Sequence, residues 1–172
     1  YGNSVVTSRD YYPDTGMIAG ITSTGAQGTV QNLSYQFDPI GNLESRKDLS
    51  KNLTEIFAYD GLNRLTSSKV NTTVYQTYSY ENNGNLKKKS DVGDNFIYGE
   101  RGHGIHAVTS VKNNNVLVAS YDYDANGNMV SGNGRDFTWT AFNKPESISK
   151  DGLTVNFLYD ADFNRMVKSD QT

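Results

Sequence analysis

The segment Asp122-Tyr123-Asp124-Ala125-Asn126-Gly127 has the residue types and spacing that come nearest to metal chemistry. Alternate oxygen-bearing side chains with Gly at the sixth place match the opening of a calcium loop, in which such ligands wrap a hard cation and Gly permits the sharp turn. Asp122, Asp124 and Asn126 would be the ligands. The twelfth place, where a bidentate Glu belongs, holds Asn133. Gly41 and Gly84 close equivalent segments whose ligand places hold Gln36, Asp38 and Ile40, or Ser79, Glu81 and Asn83. A Gly shared with segments that lack the ligands is expected to serve a turn, so neither a metal nor any other cofactor is expected.

His103 and His106, with Glu100 nearby and Gly102 and Gly104 around them, form the other cluster able to ligate a metal or move a proton. A zinc site needs a third protein ligand, and residues three apart on an extended segment point to opposite faces. A loop that replaces one turn is the expected role. No Gly-x-Ser-x-Gly elbow or phosphate loop is present, and a chain with 0 Cys has no thiol nucleophile, disulfide or thiolate metal site. The prominent Asp residues all occupy turn positions, so paired-carboxylate catalysis has no specific support and no catalytic residue is assigned. Tyr and Trp rings could stack on sugars. Asn32-Leu33-Ser34, Asn52-Leu53-Thr54 and Asn71-Thr72-Thr73 match glycosylation acceptor patterns.

The surrounding composition narrows the classes further. Aromatics make up 12% of the 172 residues, with 12 Tyr, which favours strands. A net charge of −3, with Lys87-Lys88-Lys89 the one short basic run, argues against a nucleic-acid ligand. No apolar run approaches the roughly 20 residues of a membrane helix. The chain starts at Tyr1 without a charged-then-apolar leader and reads as a piece of a longer protein.

The elements that would position these residues come from an internal repeat. Phe37–Leu43, Tyr59–Leu65, Tyr80–Leu86 and Tyr123–Met129 each read aromatic, acidic, two free places, Gly or Asn, polar, apolar. Weaker copies are Tyr12–Ile18 and Trp139–Pro145, and the copy at Tyr159–Met166 carries one extra residue on this reading. Leading aromatics at 12, 37, 59, 80, 123, 139 and 159 are 16 to 25 residues apart except for one gap of 43, which Tyr98 splits. A second aromatic stands two residues earlier in the pairs Tyr35/Phe37, Phe57/Tyr59, Tyr78/Tyr80, Tyr121/Tyr123, Phe137/Trp139 and Phe157/Tyr159. Period two places both rings on one strand face. These twelve rings are the expected repeat core.

The acidic residue can bond backbone N–H groups ahead of it, and Gly16, Gly41, Asn63, Gly84 and Gly127 would supply a positive φ, which makes each copy a hairpin. If position one pairs with position seven, Tyr59 and Leu65 share one face while Asp60 and Arg64 meet on the other.

These residues resemble the YD, or Rhs, repeats, whose unit reads Tyr-Asp-x-x-Gly-Arg-Leu followed by a strand. Tyr59–Leu65 is close to that unit, with Asn63 in place of Gly. Tyr121–Met129, Phe137–Pro145 and Tyr159–Asp162 resemble the C-terminal part of such arrays, and His106–Val111 resembles the link before it. The resemblance implies large secreted or surface proteins whose repeats form a spiralling β shell around a C-terminal toxic or variable polypeptide, as in bacterial Rhs toxins and insecticidal toxin complexes. Animal teneurins use a similar shell in adhesion. The cap with self-cleaving aspartates that ends the toxin shells has no match here, so autoproteolysis is not carried over.

The expected fold is therefore all-β: an antiparallel hairpin-repeat meander curling into a partial β shell or open barrel. One array over 1–172, of about seven to eight hairpins with a degenerate unit near 96–112, is expected. The expected role is a non-enzymatic shell segment that encloses or presents a C-terminal toxin or effector, secreted or at the cell surface, from a bacterial source. Its partners would be the rest of the shell and the effector, with no nucleic acid. The alternative is an adhesion module whose exposed aromatics bind glycans or a partner protein.

Overall fold

Aromatic and β-branched residues at alternating positions, broken by Asn, Asp and Gly, fold here as strand after strand. The computed structural model describes Gly2 and residues 4–171; Tyr1, Asn3 and Thr172, at the ends of the expected array, lie outside the described residues. The strands are β1 (Val6–Tyr11), β2 (Ile18–Gly25), β3 (Gly28–Phe37), β4 (Leu43–Asp48), β5 (Leu53–Tyr59), β6 (Leu65–Val70), β7 (Thr73–Tyr80) and β8 (Leu86–Lys89). They continue as β9 (Asn95–Tyr98), β10 (Val108–Asn113), β11 (Val116–Tyr123), β12 (Met129–Gly132), β13 (Arg135–Trp139), β14 (Pro145–Lys150), β15 (Leu153–Tyr159) and β16 (Arg165–Gln171). One 3-10 turn, Glu100–Gly102, interrupts them.

Two eight-stranded antiparallel sheets result, β1 to β8 and β9 to β16, each ordered as in the sequence and neither closing into a barrel. The fold is the expected open hairpin meander. By compactness the chain divides into residues 1–79 and 80–172.

Two kinds of connection alternate. Short ones include Asn114-Asn115, Asn133-Gly134 and Asp151-Gly152, whose φ values are 50 and 62, 57 and 70, and 52 and 81. Positive φ at both residues is the type I′ geometry, whose twist matches that of the flanking strands. The longer connections are the repeat hairpins, and every one whose register is known carries a bulge beside the turn. Tyr59 pairs with Leu65 and Ala58 with Ser67, so Thr66 is the extra residue. The pairs Phe37 with Leu43, Tyr123 with Met129 and Trp139 with Pro145 repeat this, with Glu44, Val130 and Glu146 as the extra residues. The one-to-seven pairing expected for Tyr59 and Leu65 is thus the observed register.

Two copies depart from the sequence reading. In the first, Tyr11 rather than Tyr12 pairs with Ile18, and the loop 12–17 is closed by Tyr12 N–H on Met17 O at 2.9 Å and Gly16 N–H on Tyr12 O at 2.8 Å. In the last, Tyr159 pairs with Arg165, so the unit keeps seven residues. Met166 is the bulge and not an insertion. Arg165 replaces the apolar residue and lays its guanidinium 5.8 Å from the centroid of the Phe157 ring. The degenerate unit is also a hairpin: Tyr98 pairs with Val108, Thr109 is the extra residue, and the loop spans 99–107.

Exposure alternates along the strands. In β5, Ile56 and Ala58 are exposed while Phe57 and Tyr59 are half-buried. Among the described residues Val111 is the one buried hydrophobic side chain, and Thr109 the other fully buried one.

Candidate functional site

Four of the repeat hairpins are held by the side chain of their acidic residue. Asp60 N–H donates to Arg64 O at 2.9 Å and Asn63 N–H to Asp60 O at 3.0 Å. Asp60 Oδ1 accepts Leu62 N–H at 2.9 Å and Arg64 N–H at 3.0 Å, and Oδ2 takes Arg64 Nε at 2.7 Å. Asp38 repeats the pattern with Ile40 and Asn42, Asp124 with Asn126 and Asn128, and Asp160 with Asp162 and Asn164. These are Asx turns, in which a short carboxylate satisfies backbone donors two and four residues on. In the Trp139 copy Thr140 Oγ1 accepts Lys144 N–H at 3.1 Å, and in the Tyr80 copy Asn83 Oδ1 accepts Asn85 N–H at 3.1 Å.

The fifth place always turns left-handed. φ is +93° at Gly41, +61° at Asn63, +89° at Gly84, +83° at Gly127, +58° at Asn143 and +62° at Phe163; Gly16 stands at +69°. Gly and Asn adopt this region at low cost.

The turn carboxylates lie below their ordinary value of 3.8. For Asp60 the Arg64 guanidinium is the main cause, followed by the Arg64 N–H. For Asp124 it is the Asn128 amide and for Asp160 the Asn164 N–H. At Asp38 burial alone would raise the value, but the bonds from Asn42, Ile40 and Gly41 together outweigh it.

The twelve aromatics lie in pairs on β3, β5, β7, β11, β13 and β15, all half-buried. Five rings reach across to the preceding repeat. Tyr59 Oη donates to Leu43 O at 3.0 Å, Tyr98 Oη to Leu86 O at 2.7 Å, Tyr123 Oη to Val108 O at 2.8 Å, and Tyr159 Oη to Pro145 O at 2.8 Å. Trp139 does the same through Nε1 to Met129 O at 2.8 Å. The acceptor is the carbonyl of the residue that opens the hairpin's second strand, and at Leu43, Val108, Met129 and Pro145 it sits beside the bulge, where the strand ladder is locally disrupted. Val108, Met129 and Pro145 each also pair with the leading ring of their own repeat. A ladder of ring bond and strand pair therefore runs unbroken from Leu86 to Arg165. Burial pushes the hydroxyl pKa of Tyr59, Tyr98 and Tyr123 up, which keeps them donors. Tyr12 bonds instead to Tyr35 O at 2.8 Å.

Spacing shows which aromatics share a face, but not that a hydroxyl reaches the preceding repeat. The acceptors Leu43, Leu86, Val108, Met129 and Pro145 were legible only as apolar positions. A second tie missed by spacing joins neighbouring turns: Asn42 Nδ2 meets Asn63 Oδ1 at 3.2 Å, and Asn128 Nδ2 meets Asn143 Oδ1 at 2.9 Å.

The histidine loop is anchored on both flanks. His103 Nε2 lies 2.5 Å from Asp122 Oδ1, with its ring edge-on to Tyr123 at 5.4 Å. His106 Nδ1 lies 2.6 Å from Asn85 Oδ1. Arg101 Nη2 donates to Tyr121 O at 2.6 Å, and Glu100 Oε2 accepts from Thr109 and Ser110 at 2.9 and 3.2 Å. The two histidines thus face different partners. Asp122, held low first by the His103 bond, serves this anchor, while Asp124 serves its own turn. Among the described residues no group of three or more His, Asp or Glu could hold a metal ion.

A family model described as Teneurin YD-shell matches residues 1–172. The chain belongs to the teneurin YD-shell family. Among solved structures this YD-shell chain is similar to TcdB2-TccC3, with a TM-score of 0.73 and 19% identity over 100% of this chain and 11% of that one. It is similar to TcdB2-TccC3-Cdc42 at 0.71 and 19%, over 99% and 10%. A Tc holotoxin pore of Photorhabdus luminescens follows at 0.54 and 16%, over 92% and 11%. At these identities the likeness is one of fold. No curated protein matches. The chain spans about a tenth of the length of the chains it resembles.

Proposed function

We propose that this YD-shell segment is a non-enzymatic wall of a larger secreted or surface-displayed protein, one that encloses and presents a C-terminal effector polypeptide. The observation that carries this is the ring ladder. Five repeats, led by Tyr59, Tyr98, Tyr123, Trp139 and Tyr159, are fixed to the one before by a side-chain bond in addition to the sheet, which suits a wall that must hold its shape over many repeats. Of the carboxylates that could do chemistry, Asp124 serves its own turn while Asp122 and Glu100 anchor the 99–107 loop. The indole N–H that a glycan would use on Trp139 is already bonded to Met129 O. A bacterial source and a single array over 1–172 belong to the same proposal.

Limited proteolysis of the full-length parent protein tests it. The segment following the repeats should resist cleavage in the native protein and become sensitive when Tyr98, Tyr123 and Tyr159 are together replaced by Phe. A C-terminal segment cut equally fast in native and denatured protein would refute enclosure.

A further inference from the structure

The hairpin of β10 and β11 overreaches its neighbour. β11 runs from Val116 to Tyr123, yet β12 pairs only with Tyr121–Tyr123, because the Asn133-Gly134 turn reverses the chain after Gly132. On its other side β11 is paired with β10 from Val116 to Ser120. Val116–Ala119 therefore has one bare edge. Its side chains are open as well: Val116 is 66% exposed, Leu117 57% and Val118 46%. The edge borders a groove of about 310 Å³ lined by Leu117, Val118, Ala119, Ser120, Asn133 and Gly134.

Edge strands are ordinarily guarded by charge, Pro, a bulge or a covering segment. Val116–Ala119 contains no charge and no Pro, and the register shift opposite Lys112 bends the strand without covering it. Bare main-chain donors and acceptors are satisfied by another extended backbone. Apolar side chains on both faces of the strand select a partner with aliphatic residues at successive positions. A four-residue edge falls far short of the roughly 1,000 Å² that holds two free proteins together, which disfavours a second copy of this chain. A segment of the same polypeptide, confined at an effective concentration on the order of millimolar, needs no such area.

We propose that Val116–Ala119 docks, by strand addition, an extended aliphatic segment of the polypeptide that the shell carries. This rests on the enclosure reading above. The test is amide hydrogen exchange on the 172-residue chain with a synthetic Val/Ile heptapeptide carrying terminal Lys, at on the order of millimolar concentration. Exchange at 116–119 should slow about tenfold. The same peptide interrupted by Pro should do nothing, and Val118→Lys and Val116→Glu should each remove the protection while exchange in β13–β15 stays unchanged. Equal protection by the Pro peptide, or protection at other strands alone, overturns the proposal. So does concentration-dependent dimerisation lost in Val118→Lys, which would give the edge to a second copy. Docking in a chain whose parent protein is open to protease would sink the enclosure reading alone. A protected parent with no docking would sink this one alone.

Discussion

At the scale of single residues, the repeat asks for Tyr where Phe would fill the same space, and the ladder supplies the reason. Replacing Tyr123 by Phe keeps the ring but leaves Val108 O without its donor, a loss of about 1 kcal/mol. Tyr121, two residues earlier on the same face, makes no hydroxyl bond among the described residues, so Tyr121→Phe should stay within about 0.5 kcal/mol of the parent. Urea denaturation of the two variants separates them, and equal midpoints would show that the ladder contributes nothing. The turn glycines give a second comparison. Gly84 has φ +89° and open space where a Cβ would go, whereas at Gly41, φ +93°, a Cβ would lie 3.0 Å from Met17 Cε. Val at either position should cost about 1–3 kcal/mol through backbone strain, with Gly41→Val the worse because Met17 must also move. Thermal melts that ranked them in the opposite order would put the strain elsewhere.

At the scale of elements, the hairpins tie stability to pH. The folded pKa of Asp38, Asp60, Asp124 and Asp160 is depressed, so their contribution is fully present above the ordinary value of 3.8 and is lost as pH falls through the lower folded values. Melting temperature should therefore fall with pH below that point, and less steeply in Asp60→Asn, which keeps an acceptor for Leu62 and Arg64 N–H but no longer titrates. Identical slopes would exclude the turn carboxylates as the cause. The fold class was legible at this scale because period-two rings and a turn at each repeat leave little but an antiparallel meander. Registers were harder. Tandem Tyr11-Tyr12 offers two equivalent alignments, and the sheet bond formed by Tyr11 decides between them. Arg165 at an apolar place made the last unit look one residue too long, since its aliphatic stem and guanidinium cover Phe157 as a hydrophobe would. The type I′ turns at Asn133-Gly134 and Asp151-Gly152 were present as dipeptides but lie between the seven-residue motifs, so a motif-centred reading passes over them.

At the scale of the molecule, an array in which repeats touch only their neighbours should behave as a nearly one-dimensional system, its stability a sum of repeat and neighbour terms. The burial supports this, since among the described residues Val111 is the one buried hydrophobic side chain. Breaking one rung should therefore act locally. In Tyr159→Phe, amide exchange should accelerate in β14 and β15, where the bond to Pro145 O is lost, and stay unchanged in β3 and β4. The reverse experiment, Tyr59→Phe, should loosen β4 and β5 through the lost bond to Leu43 O and leave β14 and β15 as they were. A uniform acceleration in both variants would mean that the chain opens as one cooperative body. Local failure is also the behaviour that the proposed wall requires, because one weakened rung then leaves the repeats on either side of it standing.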